Sequence, residues 1–357
     1  MTQVRCAVIS FIATGGGVTE AFFNSLTMLR RAGLEPIPVV PAEASYLDRL
    51  AGCGAASVRV PGLAYGGKAA RPLQLWRLLR AIRQVQPDLI LAHNGRFVSG
   101  LRRWLRVPVV AVCHGGRPAR YLRADRVITV NDPQRQALLS LGYPSGRVDV
   151  IDNVVPVDAL PPYAPRPWPE APVIGTLRLL EPAKGLDTLI EAVAILAGRG
   201  RRLRARIGGT GSQEANLRAL ARRRRVDDLV EFAGWVSDKA GFLNGIDLYV
   251  LPSREETWGI AIAEAWAAGL PVVSTACEGP LRLIEDRSTG LLAPPDDPAA
   301  LADAIDRACR DGALTRRLAE AGHRHCAERY TLGVVAPRFS AAVLAALPGG
   351  PLSRSAG

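Results

Sequence analysis

The segment SREETWGIAIAEAWAAGLPVV (253–273) carries three carboxylates, Glu255, Glu256 and Glu264, in a run otherwise apolar enough for a buried helix. Acidic side chains are rarely left in a core without a partner or a task. Paired carboxylates can hydrolyse a glycosidic bond when they stand roughly 5–9.5 Å apart. A fully helical path from Glu256 to Glu264 would separate their Cα atoms by about 12 Å. That spacing suits recognition of several hydroxyls along one wall better than hydrolysis. Upstream, GTLRLLEPAKG (175–185) sets Arg178 and Lys184 in a loop after a strand-like run. A guanidinium fork and an ammonium point charge in that arrangement suit a diphosphate.

Two glycine turns could bring backbone close to a ligand. TGGGVTE (14–20) offers Gly15, Gly16 and Gly17 between a strand and a helix, where N–H groups favour an anion or a hydroxyl cluster. It is not GxGxxG, because Glu20 stands at the third glycine position, and it lacks the GK[ST] of a P-loop. A nicotinamide dehydrogenase is thereby disfavoured. IGGTGSQEANL (207–217) is a second such turn, with Gly209 and Gly211. His93 and Asn94 end DLILAHN, and His114 ends the apolar run of VPVVAVCHGG. HRHC (323–326) offers metal-ligand types, but it lies in a helical pattern and reads as surface, so no metal site is expected.

These residues need elements to hold them. Apolar runs at 6–12, 36–40, 56–60, 88–92, 107–113, 126–130 and 148–152 read as buried parallel strands. Helical spacing falls between them at 18–32, 72–85 and 133–141. PVDALPPYAPRPWPEAP (156–172) has seven prolines in 17 residues, which excludes helix and inner strand. The alternation then restarts, with strands expected at 172–177, 203–208, 229–233, 247–251 and 271–275. Helices are expected near 186–198, 212–224, 258–268 and 298–310. The predicted architecture is α/β: a doubly wound, Rossmann-like domain at 1–160, a linker at 161–172 and a second such domain at 173–330, facing the first across a cleft. A helix at 331–347 crosses back to the first domain, and 348–357 reads as a disordered tail.

The length of 357 residues and 48% hydrophobic content fit two sizeable cores. Six dispersed cysteines without a CxxC pair point to a reducing compartment. The start, MTQVRCAVISFIATGGG, lacks the features of a signal peptide, and no apolar run reaches the roughly 18 residues of a membrane span. The expected location is cytoplasmic, with peripheral attachment to the inner face of the plasma membrane. Residues 1–165 carry 20 Lys+Arg against 10 Asp+Glu, and so +10 of the net +12. A basic face attracts anionic partners such as a lipid surface. Nucleic acid is not expected, because the arginines are not interleaved with stacking aromatics.

Taken together, GTLRLLEPAKGLDTLIEAV, LYVLPSREETWGIAIAEAWAAGLPVVST and STGLLAPPDDPAALADAI resemble the retaining glycosyltransferases of family 4, which have the GT-B fold. GGVTE, DLILAHN and VDVIDNVV resemble the first domain of that family more loosely, and the likeness covers roughly 5–330. The resemblance implies transfer of a hexose-type sugar from a UDP- or GDP-sugar to a glycan or lipid-linked acceptor, in cell-surface polysaccharide or lipopolysaccharide synthesis. It implies no cofactor and no metal; the nucleotide sugar is a co-substrate. Its E-x7-E element selects Glu256 for the donor sugar and Glu264 for the ribose, and leaves Glu255 out of register. Arg178 and Lys184 would hold the diphosphate. Trp258, Gly259 and Ile260 would present backbone N–H groups, and Trp235 and Val236 would lie near the base. His114 would stand near the transferred sugar, with His93 and Asn94 on the acceptor side. One departure concerns the donor: ACEGPLRLIED has Arg282 where the family places an acid, with Glu278 and Glu285 as alternatives. Competing readings are a non-catalytic sugar-binding subunit, or a phosphorylase or epimerase of the same fold.

Overall fold

Runs such as CAVI and LILA are apolar at every position, as strands covered on both faces must be. They form all-parallel sheets in the computed structural model, which describes residues 3–54, 56–64 and 70–348. The chain divides into a first unit, Met1–Asp158 with Leu332–Gly357, and a second, Ala159–Thr331.

Among the described residues, the first unit's strands are β1 (Arg5–Ile9), β2 (Glu35–Pro41), β3 (Val58–Val60), β4 (Leu89–Ala92), β5 (Val109–Cys113), β6 (Arg126–Thr129) and β7 (Val148–Val150). They lie in the order β3-β2-β1-β4-β5-β6-β7. The second unit holds β8 (Val173–Leu177), β9 (Arg204–Gly208), β10 (Val230–Gly234), β11 (Leu248–Leu251), β12 (Val272–Thr275) and β13 (Leu291–Ala293). Their order is β10-β9-β8-β11-β12-β13. Each order reverses once, at β1/β4 and at β8/β11. Open α/β sheets bind ligands outside the carboxyl ends of the strands at such a switch point.

The pleat alternates side chains between two core layers. Cys6 and Val8 of β1 join Phe22, Leu26 and Leu29 of the helix Gly17–Arg31. Ala7 and Ile9 point the other way, into the layer of Leu78 and Ile82 from the helix Arg71–Val85. The last helix, Leu332–Leu344, belongs to the first unit: Val335, Phe339 and Val343 enter the layer of Phe22, and Ser340 Oγ donates to Met28 O at 3.3 Å.

Several expectations change. The proline-rich stretch is not a free-standing linker, since from Ala159 it belongs to the second unit. Arg166 bonds Asn244 Oδ1 and Ala268 O, each at 2.9 Å, and Trp168 Nε1 donates to Cys309 O at 3.2 Å. HRHC is not surface: it lies in the helix Gly312–Arg329, with His323 and Cys326 buried. The His323 ring nitrogens reach Trp266 O (3.0 Å) and Pro161 O (2.8 Å), so the i, i+3 face turns inward onto the proline-rich stretch. β13 and the short helices Leu47–Gly52, Val98–Trp104, Lys239–Asn244 and Glu278–Leu283 were not anticipated, because a turn or two leaves little periodicity to read. The tail beyond residue 348 lies outside the described residues. No helix among the described residues is long and apolar enough to cross a membrane.

Candidate active site

The second unit's switch point gathers the charged residues. Arg178 follows β8 directly, and the loop after β11 runs through Ser253 to Glu256. The two loops interlock at the turn Pro182–Lys184. Gly185 has φ 63°, and a Cβ there would lie 1.9 Å from Pro252 O, so only glycine lets the backbones approach this closely. Ala183 O accepts from Arg254 N at 2.9 Å and from Glu255 N at 3.2 Å. The Arg254 guanidinium donates to Pro182 O (2.7 Å) and to both Asp187 oxygens (2.8 and 2.7 Å). This clamp sets the register: Glu255 is exposed, and Glu256 turns inward.

There, both cations meet one oxygen. Glu256 Oε2 accepts from Arg178 Nη2 and, at 3.2 Å, from Lys184 Nζ. Arg178 Nη2 also bonds Ser253 Oγ at 2.9 Å, and its side chain is only 7% exposed. Burial would raise the Glu256 carboxyl pKa, but Arg178 and then Lys184 outweigh it and hold the group below the usual carboxylate range. Burial likewise opposes the charge on Arg178, and Glu256 restores it, leaving the guanidinium more basic than usual. Arg178 and Glu256 are thus an ionised pair at neutral pH with Lys184 Nζ on the same carboxylate oxygen, an arrangement able to exchange one anionic partner for another.

Around it, Gly209 and Gly211, read from the sequence as substrate-binding, let two loop backbones approach closely. A Cβ on Gly209 (φ 129°) would lie 1.7 Å from Arg178 O, and one on Gly211 2.5 Å from Leu180 O. The glycine loop is thus laid against the Arg178 loop, tied by Arg178 N to Gly208 O (2.8 Å) and Leu180 N to Thr210 O (3.0 Å). Glu264, in the helix Ile260–Ala267, pairs with Lys239 Nζ at 2.9 Å. Trp258 gives the site no side chain, since it is buried with its ring against Tyr330 (centroids 5.1 Å). Gly259 (φ 98°) turns the backbone into that helix; Ile262 N donates to Gly259 O at 2.9 Å, whereas the N–H groups of Ile260 and Ala261 precede the helix's first acceptor. Trp235, following β10, is 61% exposed, whereas Val236 packs beside Gly208. The helix of Arg282 is docked on the Glu256 loop through Gly279 N, which donates to Glu256 O at 2.7 Å.

In the first unit, residues 15–17 lead from β1 into the helix Gly17–Arg31, with Gly16 (φ 141°) as its N-cap. Asn94 bonds within its own loop, Oδ1 accepting from Arg96 N at 2.8 Å. His93 is not placed to meet an acceptor: it is 2% exposed, and its ring lies between Ser25 Oγ (2.9 Å) and His114 Nε2 (3.0 Å). Sequence reasoning missed Ser25, Ser253 and Lys239, each a small or surface-type residue remote in the chain from its partner. For Ser25, the strand alternation was a usable signal. His93 continues Leu89 and Leu91, and His114 continues Val110 and Val112, all four apolar residues facing the helix that carries Ser25.

Two doubly wound units, one with an Arg–Lys–Glu cluster at its switch point, define the GT-B class of sugar-transferring enzymes. Residues 15–159 match Glycosyltransferase Family 4, and residues 166–325 match Glycosyl transferases group 1. The chain is 31% identical over 323 residues to the lipopolysaccharide core biosynthesis glycosyltransferase LpsE of Rhizobium meliloti, covering 86% of this chain and 90% of that protein. It is 28% identical to the phosphatidyl-myo-inositol mannosyltransferase of Mycobacterium leprae, over 91% of each. Anabaena HepE, solved with UDP and glucose, shares the fold at a TM-score of 0.82 and 18% identity, covering 95% of this chain and 98% of that one. The protein belongs to glycosyltransferase family 4 and is a glycosyltransferase.

Proposed function

We propose that the enzyme moves a hexose-type sugar from a UDP- or GDP-sugar to a glycan or lipid-linked acceptor, with retention at the anomeric carbon and without a metal. The observation that carries this reading is the convergence of Arg178 and Lys184 on one oxygen of Glu256. A pair of cations that neutralises a carboxylate at a switch point can equally neutralise a diphosphate. Glu256, once exchanged, accepts hydrogen bonds from the donor sugar. Glu264 with Lys239 takes the ribose, and the exposed face of Trp235 serves the base.

In the transfer, the bond from C1 to the diphosphate oxygen breaks and its electron pair stays on the phosphate. The acceptor oxygen bonds C1 on the same face, and its proton passes to the departing phosphate. Arg178, Lys184 and helix N–H groups stabilise the charge that builds there. Fixed cations thus supply what a divalent ion supplies elsewhere. Relatives named for lipopolysaccharide core biosynthesis support a cell-surface glycan as the product. The test is a panel of UDP- and GDP-sugars with and without oligosaccharide or lipid-linked acceptors. Nucleotide release is expected only with acceptor, is unchanged by EDTA, and gives a product of the donor's anomeric configuration by NMR. Equal release without acceptor, or an inverted product, overturns the reading.

A further inference from the structure

Three groups in the first unit form a chain of hydrogen bonds: Ser25 Oγ to His93 Nε2 at 2.9 Å, and His93 Nδ1 to His114 Nε2 at 3.0 Å. The protons in this chain can be assigned from its far end. Ser25 Oγ lies 2.7 Å from Phe22 O, a carbonyl that can only accept. Two oxygens that close need a proton between them, and the serine has just one to give. Toward His93, Ser25 is therefore an acceptor, so His93 carries its proton on Nε2. His93 Nδ1 is then a bare lone pair, and the 3.0 Å contact requires His114 to supply the proton from Nε2.

Both rings are neutral at physiological pH, as this assignment needs. Burial, and then the proximity of His114, hold the His93 pKa well below its ordinary value. Burial brings His114 down to about 4. The ring planes differ by only 11°, and the Phe22 ring packs edge-on against His93 with centroids 5.7 Å apart, which fixes the rings further. Among the described residues, none hydrogen-bonds His114 Nδ1.

We infer that Ser25 and His93 are positioning residues that lock His114 in the Nε2–H tautomer, so that its Nδ1 accepts a hydrogen bond from a hydroxyl of the sugar substrate. The choice of substrate group rests on the proposed glycosyl transfer; the proton assignment does not. A histidine locked the other way would present N–H at the same place, and the hydroxyl would have to accept there and give its own proton elsewhere. Tautomer control by an outer hydrogen-bond partner is worth about 10- to 100-fold in activity where it has been removed in metal sites.

The test is a long-range proton–nitrogen correlation spectrum of protein labelled with 15N-histidine, with His93→Asn and His114→Ala used to assign the resonances of the four histidines. In the wild type, His114 should show a pyridine-type Nδ1 and a pyrrole-type Nε2. Ser25→Ala should move His114 toward the other tautomer and lower turnover about 10- to 100-fold. A wild-type His114 protonated on Nδ1 overturns the inference whatever Ser25→Ala does. So does a Ser25→Ala protein whose His114 spectrum is unchanged. Wild-type kcat/KM in His114→Ala would overturn the substrate contact alone, whereas failure of acceptor-dependent turnover in the wild type counts against the proposed transfer and not against the tautomer.

Discussion

Glu255 and Glu256 stand one position apart, yet one is exposed and the other sits against two cations. Replacing Glu256 by Gln leaves Arg178 and Lys184 facing a neutral amide, in a place where Arg178 is almost fully desolvated. Loss of hydrogen bonds to charged groups costs about 1–3 kcal/mol. Glu256→Gln should therefore lower both stability and turnover, whereas Glu255→Gln should stay within about 0.5 kcal/mol of wild type. Denaturation and steady-state rates on the two variants check this, and a larger loss at Glu255 would reverse the register. The pH dependence has a definite sign. The folded Glu256 pKa is depressed, so the pair's contribution is present above the ordinary carboxylate value of about 4.3 and is lost as pH falls through the lower folded value. Lys184→Ala removes the charge that the proposed transfer sets on the leaving group. It should cost on the order of 2.7–4 kcal/mol in the barrier, roughly 100- to 1000-fold in kcat. Near wild-type turnover would remove Lys184 from that role.

The loops after β8, β9 and β11 hold these side chains by backbone packing, and glycine makes the packing feasible. Gly209 and Gly200 both have positive φ (129° and 74°), but a Cβ at Gly209 meets Arg178 O at 1.7 Å, whereas at Gly200 it meets open space. Gly200→Ala should cost about 1–2 kcal/mol, the ordinary cost of a left-handed alanine. Gly209→Ala should cost above about 3 kcal/mol and weaken nucleotide binding as well, because the Arg178 loop must shift. Comparable stability of the two variants by chemical denaturation would refute the packing role. At this scale the sequence was informative where residue type implies environment. Fully apolar runs meant parallel strands, and Arg178, Lys184 and Glu256 stood at strand ends where a switch point needs them. It was silent where geometry joins distant residues. Lys239 could not be matched to Glu264, nor Ser25 to His93, because neither pair lies on one element. His93 looked like a ligand because it ends a strand; only its alternation with Leu89 and Leu91 shows that it turns into the core. The backbone packing at Gly209 and Gly211 was illegible because a glycine that admits a phosphate and one that admits a neighbouring backbone are written alike.

At the scale of the whole molecule, internal pairing leaves the charge excess of the first 165 residues at +10, because each ion pair removes one charge of either sign. Arg126 is buried with Asp149 at 2.7 Å, and Arg102 pairs with Asp125 at 3.0 Å, so neither is a free surface cation. Arg80, Arg83, Arg103 and Arg106 remain exposed; the first three share two helices with the exposed apolar side chains Leu73 (50%), Trp76 (55%) and Trp104 (56%), and Arg106 follows the second helix. The helices Arg71–Val85 and Val98–Trp104 pack together at Gly100, where Leu75 fills the space a side chain would take. Arginine heads beside tryptophan rings are the composition of an interfacial surface, with rings at headgroup level and cations against anionic lipid. Each such cation contributes about 1 kcal/mol near an anionic bilayer, and the attraction is screened as the Debye length falls from about 10 Å at 0.1 M salt to about 3 Å at 1 M. The protein should therefore co-sediment with phosphatidylglycerol-containing vesicles at low salt, much less at high salt, and hardly with pure phosphatidylcholine. Arg80→Glu with Arg83→Glu should abolish the salt-sensitive part, and Trp76→Ala with Trp104→Ala should reduce what persists at high salt. Absence of binding to anionic vesicles at low salt would leave the arginines as ordinary solvated charges and remove this face from any role at a membrane.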